Sequence, residues 1–253
     1  MYTEIKKCRI SGSTNLIQVL SLGEQYLTGV FPKSLKENIT KGPLDLLWCP
    51  ESGLLQLKQS YSQDEMYGDN YGYRSGLNAS MVKHLTNKIH SLEKLVTLHE
   101  KDLVIDIGSN DATTLKAYKS KCRKVGIDPT GTKFKEHYTA DITLIPNFFN
   151  QDVFTKKFPS EKAKIITSIA MFYDLENPAQ FVKDVFNCLD DEGIWHFEQS
   201  YMPSMLRTNS YDTICHEHIE FYSFKVIKNL LESCNMRVAD VQMNAVNGGS
   251  FAV

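Results

Sequence analysis

Between residues 103 and 198 short apolar runs alternate with helical stripes, and this alternation restricts the fold more than any other feature of the chain. Leu103-Val104-Ile105-Asp106-Ile107 reads as a buried strand ending at Gly108, and residues 124–128, 142–145 and 164–169 read as three more. Phe181, Val182, Val185, Phe186 and Leu189 mark one face of a helix. Asp190-Asp191-Glu192-Gly193 then reads as a turn into a fifth strand, Ile194-Trp195-His196-Phe197-Glu198. A helix carrying Val226, Ile227, Leu230, Leu231 and Cys234 follows, with extended pieces expected over 237–241 and after Gly248-Gly249. Such alternation predicts an α/β fold, a mostly parallel, doubly wound sheet with helices on both faces. Ligands of these sheets bind beyond the carboxyl ends of the strands, at the point where the strand order reverses.

The preceding residues have a different texture. Leu16-Ile17-Gln18-Val19-Leu20, Leu44-Asp45-Leu46-Leu47-Trp48 and Leu54-Leu55-Gln56-Leu57 are short apolar pieces separated by Gly, Pro and Ser. They predict a small, mainly β domain over 1–76. From Asn78, Met81, Leu85, Ile89, Leu92 and Val96 recur every three or four residues, so 77–100 reads as a connecting helix and 101–253 as the larger domain.

Charge and composition exclude several classes of function. Twenty-eight basic against 30 acidic residues give a net charge of −2, which favours neither nucleic acid nor an anionic lipid surface. No apolar run reaches the ~20 residues needed to span a bilayer. The first residues lack the hydrophobic stretch of a signal peptide, and the six cysteines form no compact framework. A cytoplasmic protein with reduced thiols is expected.

The first strand leaves into Asp106-Ile107-Gly108-Ser109-Asn110-Asp111, and the second ends at Asp128, 22 positions beyond Asp106. An acid there is placed to take the two hydroxyls of a ribose. The loop has one glycine in place of the G-x-G-x-x-G that a dinucleotide requires, and its acids would repel a pyrophosphate. It suits a cationic ligand such as S-adenosylmethionine. The alternative is a plain strand-to-helix turn capped by Asn110 or Asp111.

Tyr71-Gly72-Tyr73-Arg74-Ser75, the loop from Asp106 to Asp111, Cys215-His216-Glu217-His218 and Asn247-Gly248-Gly249-Ser250 occur in that order. Together they resemble the sugar methyltransferases of deoxysugar and capsule pathways, whose best-known members C-methylate nucleotide-linked ketosugars. The resemblance covers essentially the whole chain. It implies a small zinc-binding domain, a class I methyltransferase Rossmann-like domain that uses S-adenosylmethionine, and a further C-terminal domain that would begin near residue 253. A truncated chain and a naturally short member are both consistent with this. The resemblance also implies that Tyr73 and Ser75 line the cofactor pocket, with Gly108, Asn110 and Asp128 opposite. Asp106, Asp111 and Asn147 complete the set assigned to the cofactor.

Three departures from the family pattern matter. Its two C-x-x-C pairs read here as Cys8-Arg9-Ile10-Ser11 and Cys49-Pro50-Glu51-Ser52. Serine hydroxyls are poor zinc ligands, so zinc is not expected and Cys8 and Cys49 are read as remnants of a zinc pattern. Asp174 follows Phe172-Tyr173 where many C-methylating members carry histidine, and Cys215 replaces a tyrosine. Both changes remove groups suited to chemistry beside a ketone, which favours O-methylation of a sugar hydroxyl over C-methylation of a ketosugar.

For the chemistry, His218 is the candidate base, because imidazole titrates near neutrality. Glu217 or His216 would orient it, and Asp174 would contact sugar hydroxyls. His216 and His218 form an H-x-H pair, but with no third ligand spaced nearby no metal is expected. Tyr173, Glu198, Tyr201, Tyr211 and Tyr222 are candidates for the nucleotide-sugar, with Arg207 for its diphosphate; Phe221 and Tyr222 can equally be core. Two rival functions stand beside this reading. One is a catalytically weak binding module of the same fold, and the other an NAD-dependent sugar oxidoreductase, which lacks its glycine fingerprint.

Overall fold

The computed structural model describes residues 2–30, 32–67 and 71–253. Two compact units emerge. One comprises Met1–Gly72, Ala170–Val182 and Glu198–Val253, the other Tyr73–Ile169 and Lys183–Phe197. The first unit is therefore assembled from three stretches of chain, with residues 198–253 grouped with the N-terminal residues.

The chain begins with β1 (Tyr2–Glu4), β2 (Ile17–Tyr26), β3 (Lys41–Trp48), β4 (Leu55–Leu57), β5 (Gln59–Tyr61) and a single helical turn, α1 (Gln63–Met66). β1 and β5 form an antiparallel ribbon, while β2, β3 and β4 pair antiparallel in sequence order. Alternation along β3 sends Leu44 and Leu46 inward, where they pack with Leu55, Leu57, Met205, Ile214, Ile219 and Phe221. The apolar pieces that predicted short strands are these strands.

α2 (Ala79–Leu95) opens the second unit. The Asn78 side chain accepts the Ser80 and Met81 N–H groups, satisfying two donors that a helix start leaves open. Leu85, Ile89 and Leu92 are its buried stripe. β6 (Leu103–Ile107), the short α3 (Thr113–Lys116), β7 (Arg123–Ile127), β8 (Ile142–Ile145), α4 (Gln151–Lys157) and β9 (Ala163–Ile169) follow. β6 lies between β7 and β9, parallel to both, and every one of its residues is buried. A strand covered on both faces reads as a continuous apolar run, which is why it is conspicuous in the sequence. Ile89, Leu92, Val104, Ala112, Leu115, Tyr118, Ile142 and Ile165 form the core of this unit.

α5 (Pro178–Cys188) leads directly into β10 (Leu189–Ser200). The turn expected over residues 190–193 does not form; these residues are the start of the strand. Asp190 is held there by Lys164 of β9, whose ammonium lies 2.7 Å from its carboxylate. α6 (Met202–Thr208), β11 (Glu220–Phe221), α7 (Phe224–Ser233), β12 (Gln242–Asn244) and β13 (Ser250–Ala252) complete the chain. β11 adds to the first sheet, giving the order β11-β4-β3-β2. The large sheet has seven strands in the order β12-β13-β10-β9-β6-β7-β8.

The extended piece expected over 237–241 also moves. The strand lies at 242–244, because its register is set by antiparallel pairing of Gln242 with Ala252 across a turn. Asn247, Gly248 and Gly249 all take positive φ in that turn. No helix among the described residues is long and apolar enough to cross a membrane.

Candidate active site

The strand order reverses at β6, so the loop that leaves it is the switch point of the sheet. Gly108, Asn110 and Ala112 have φ of 73°, 48° and 60°. Only glycine enters that region without penalty, so the other two are held there by their surroundings. Gly108 N–H donates to the Ile127 carbonyl at 2.9 Å, and Asn110 N–H donates to Asp128 Oδ2 at 2.7 Å. The Tyr138 hydroxyl donates to the Asn110 carbonyl at 2.9 Å. Asp128 Oδ1 accepts the Thr130 N–H and hydroxyl, both at 2.6 Å, which leaves Oδ2 the freer oxygen for a ligand.

Asn110 and Asp111 also tether residues 73–76. Asn110 Oδ1 accepts the Ser75 N–H at 3.0 Å and its Nδ2 donates to the Tyr73 carbonyl at 3.1 Å. Asp111 Oδ2 accepts the Gly76 N–H at 3.0 Å and lies 3.6 Å from Arg74 Nε, while Oδ1 accepts the Thr113 N–H. A Cβ on Gly76 would collide with this carboxylate. Tyr73, Ser75, Gly108, Asn110, Asp111 and Asp128 thus converge.

The loop is not the bare acidic surface its sequence suggested, however. Arg74 supplies a counter-charge to Asp111. Asp106 is buried beneath the loop, where Thr167 Oγ1 donates to its Oδ1 at 2.6 Å, and burial pushes its carboxyl up to about 7. The shape of its turned backbone, more than net negative charge, is what this loop offers a ligand. Asn147 is exposed beyond β8, with its N–H on the Ile145 carbonyl. Neither Asn110 nor Asp111 is the cap of α3; that position is Ala112.

The other unit carries the second cluster. Cys215, Glu217 and His218 each present a ligand-type atom, all within 4.8 Å of one another. Ile219 N–H donates to the Tyr173 carbonyl at 3.0 Å, which fixes the segment against residues 172–174. The His218 ring stacks on Tyr173 with centroids 4.2 Å apart, and its Nδ1 lies 3.3 Å from the Thr213 carbonyl. A carbonyl partner assigns the proton to Nδ1 and leaves Nε2 as the acceptor.

His216 points elsewhere. It is fully buried, with Nδ1 accepting the Thr28 N–H at 3.3 Å and its ring edge-on to Tyr61 at 4.6 Å. Burial lowers its pKa. The expected H-x-H pair is therefore split, with His216 anchoring the segment to residue 28.

Asp174 joins the cluster from the other side. Its Oδ2 accepts the Tyr67 hydroxyl at 3.0 Å, and its Oδ1, like Glu217 Oε1, is buried without a hydrogen-bond partner. Burial raises the Asp174 carboxyl well above the usual range, with His218 opposing and Glu217 reinforcing the shift. Burial likewise raises Glu217, and pushes the Cys215 thiol up to about 11. Gly29, at φ 75°, is required where it stands, because a Cβ there would meet the Glu217 carboxylate. Tyr67, Arg74, Thr28 and Gly29 were not singled out by sequence. Arg74 lies within the 71–75 motif, whereas nothing local marks the other three.

The candidate substrate residues divide. Tyr173 is buried against His218. Tyr222 is 1% exposed and its hydroxyl donates to Glu220, so it is a core residue, as is Phe221. Glu198 is buried with Asn244 Nδ2 at 2.9 Å. Tyr201 packs against Phe251, while Tyr211 and Arg207 are exposed.

Near the N-terminus, Cys8 Sγ lies 3.2 Å from Ser52 Oγ, and Cys49 Sγ 3.5 Å from Ser11 Oγ. Two thiols and two hydroxyls do not fit a structural zinc ion, which takes four thiolate or imidazole donors. Burial opposes ionisation of Cys8, but hydrogen bonds from Ser11 and Ser52 outweigh it and bring the thiol down to about 7.

Comparison with known proteins agrees with this architecture. A zinc-binding-domain profile matches residues 8–67, and a methyltransferase-domain profile matches residues 81–241, more than half of the chain. The C-methyltransferase NovU of Streptomyces niveus is 26% identical over 253 residues, which is 98% of this chain but 60% of that protein's length. Among solved structures, the mitomycin 7-O-methyltransferase MmcR shares the fold at a TM-score of 0.52 and 12% identity, over 70% of this chain and 54% of that one. The plantazolicin methyltransferase BamL does so at a TM-score of 0.50 and 16% identity, over 66% of each chain. With a seven-stranded class I sheet and a match over 81–241, the chain belongs to the methyltransferase-domain family.

Proposed function

We propose that this protein transfers the methyl group of S-adenosylmethionine to a hydroxyl of a nucleotide-linked sugar. The observation that carries the proposal is the convergence of Asp174, Glu217 and His218, whose Nδ1 faces the Thr213 carbonyl, in a methyltransferase-family chain. The loop 108–112 and Asp128 Oδ2 would receive the cofactor. His218 Nε2 takes the proton from the acceptor hydroxyl while Thr213 holds the ring in place. The freed oxygen attacks the methyl carbon in line with sulfur. A C–O bond forms, the C–S bond breaks, and the electron pair returns to sulfur as a neutral thioether. Glu217 stabilises the imidazolium that results.

A second reading is C-methylation of a nucleotide-linked ketosugar, and the NovU relationship favours it. Asp174 and Cys215 favour oxygen. Incubation with labelled cofactor and a panel of sugar nucleotides separates the two. A methyl carbon whose NMR shift is that of an ether supports the oxygen reading, and a new C–C bond refutes it.

A further inference from the structure

We propose that Cys215, Glu217 and His218 form a zinc-type metal site with an open coordination position. This inference rests on the reading of segment 215–218 as the cluster that activates the acceptor, and deepens it. It is separate from the Cys8 and Cys49 pair, whose partners are serines.

The donor set is what singles the cluster out. A thiolate, a carboxylate and an imidazole are three protein ligands of the kinds that zinc takes at catalytic sites, where a fourth position is left for water or substrate. The sequence hides this arrangement. An H-x-H pair implies two imidazoles on one ion, whereas the fold turns His216 away to Thr28 and brings its neighbours on both sides together. Their ligand atoms already lie within 4.8 Å of one another. Bonds of about 2.0–2.3 Å to a tetrahedral ion require separations roughly 1 Å shorter, a movement within reach of side-chain rotation.

Three independent features support a metal. His218 Nδ1 is engaged by the Thr213 carbonyl, the outer contact that orients a ligating imidazole and leaves Nε2 for the ion. The backbone N–H groups of Glu217 and His218 and the Thr28 side chain all face the Cys215 sulfur, donors that a coordinated thiolate would keep, although burial holds the free thiol up. Glu217 Oε1 and Asp174 Oδ1 are both buried oxygens without a hydrogen-bond partner, a costly arrangement that a cation at the cluster would relieve. Sulfur and nitrogen donors select zinc or cobalt over magnesium. In the open position the ion would bind the acceptor oxygen and promote loss of its proton. Nε2 of His218 would then be a ligand, and the metal would stand in place of the free imidazole as the group that activates the acceptor.

The test loads the whole chain with Co(II) and reads the thiolate-to-metal absorption band, and loads it with Zn(II) for X-ray absorption. The expected result is one bound metal with a single sulfur and otherwise nitrogen or oxygen neighbours. The band should be lost in Cys215→Ser and weakened in Glu217→Gln, and kept in Cys8→Ser. Far-UV circular dichroism and S-adenosylmethionine binding identify any variant that fails to fold, and the X-ray absorption of the unsubstituted protein needs no variant. Absence of metal uptake, two sulfur neighbours, or a band lost with Cys8 instead would overturn the proposal. Methyl transfer by demonstrably metal-free protein would also overturn it, while leaving the proposed function intact. Metal held at Cys215 with no transfer to any sugar nucleotide would do the reverse.

Discussion

Asp106 sits in the middle of the sheet with its carboxylate on the Thr167 hydroxyl, and burial raises its pKa from 3.8 to about 7. The unfolded chain then releases this proton at a lower pH than the folded one. Stability from this group is fully present below pH 3.8 and is lost as pH rises through about 7. The full loss is on the order of 4 kcal/mol. Asp106→Asn keeps an acceptor for Thr167 and removes the titration. Denaturant unfolding at pH 4 and pH 8 should therefore show the variant gaining on the unsubstituted protein at the higher pH; an equal difference at both would contradict the burial argument. At the acceptor cluster, His218→Gln should lower the rate of methyl transfer by roughly 10²–10⁴-fold, the usual contribution of a positioned proton acceptor. Binding of S-adenosylmethionine should be unchanged in calorimetry. Gly29→Ala acts on the same chemistry from a distance, since its new methyl displaces the Glu217 carboxylate and strains a backbone at φ 75°. It should reduce turnover without reducing cofactor affinity.

Helix α2 begins at one residue, Asn78, whose side chain caps the Ser80 and Met81 N–H groups. Asn78→Ala should cost about 1 kcal/mol of stability, measured by chemical denaturation of the second unit's signal. Elements like this one were legible in the sequence because their causes are local. α2 has its cap and apolar stripe within 17 residues, and β6 is an unbroken apolar run because both its faces are covered. The start of β10 was not legible. Asp190-Asp191-Glu192-Gly193 has the composition of a turn, yet it is the start of β10, where Asp190 and Glu192 pair with Lys164 of β9. β12 was displaced for the same reason, its position being set by β13. The site divides along the same line. The loop after β6 could be read from its own residues, whereas Tyr67 on Asp174 spans 107 positions and Thr28 on His216 spans 188. The convergence of Cys215 with Glu217 and His218 depends on that second, long-range contact, and so no spacing rule announced it.

At the scale of the whole molecule, the proposed choice of cofactor rests on the loop at the switch point. Its one glycine, Gly108, leaves no second and third glycine to let a pyrophosphate approach, and Asp111 lies where such a group would meet a carboxylate only partly offset by Arg74. In the proposed reading, S-adenosylmethionine offers Asp128 a ribose and brings no phosphate to be repelled. Ligand that binds only the folded state raises stability by mass action, about 2.7 kcal/mol at a concentration 100 times its dissociation constant. S-adenosylmethionine and its demethylated product should therefore raise the thermal midpoint of the chain, whereas NAD at equal concentration should leave it unchanged. Arg74→Ala removes the counter-charge on Asp111 without altering the backbone of residues 108–112. If shape is what selects the cofactor, the variant retains its response to S-adenosylmethionine at high salt and still ignores NAD; a gain of NAD binding in that variant would show that charge had been the wrong basis for excluding it.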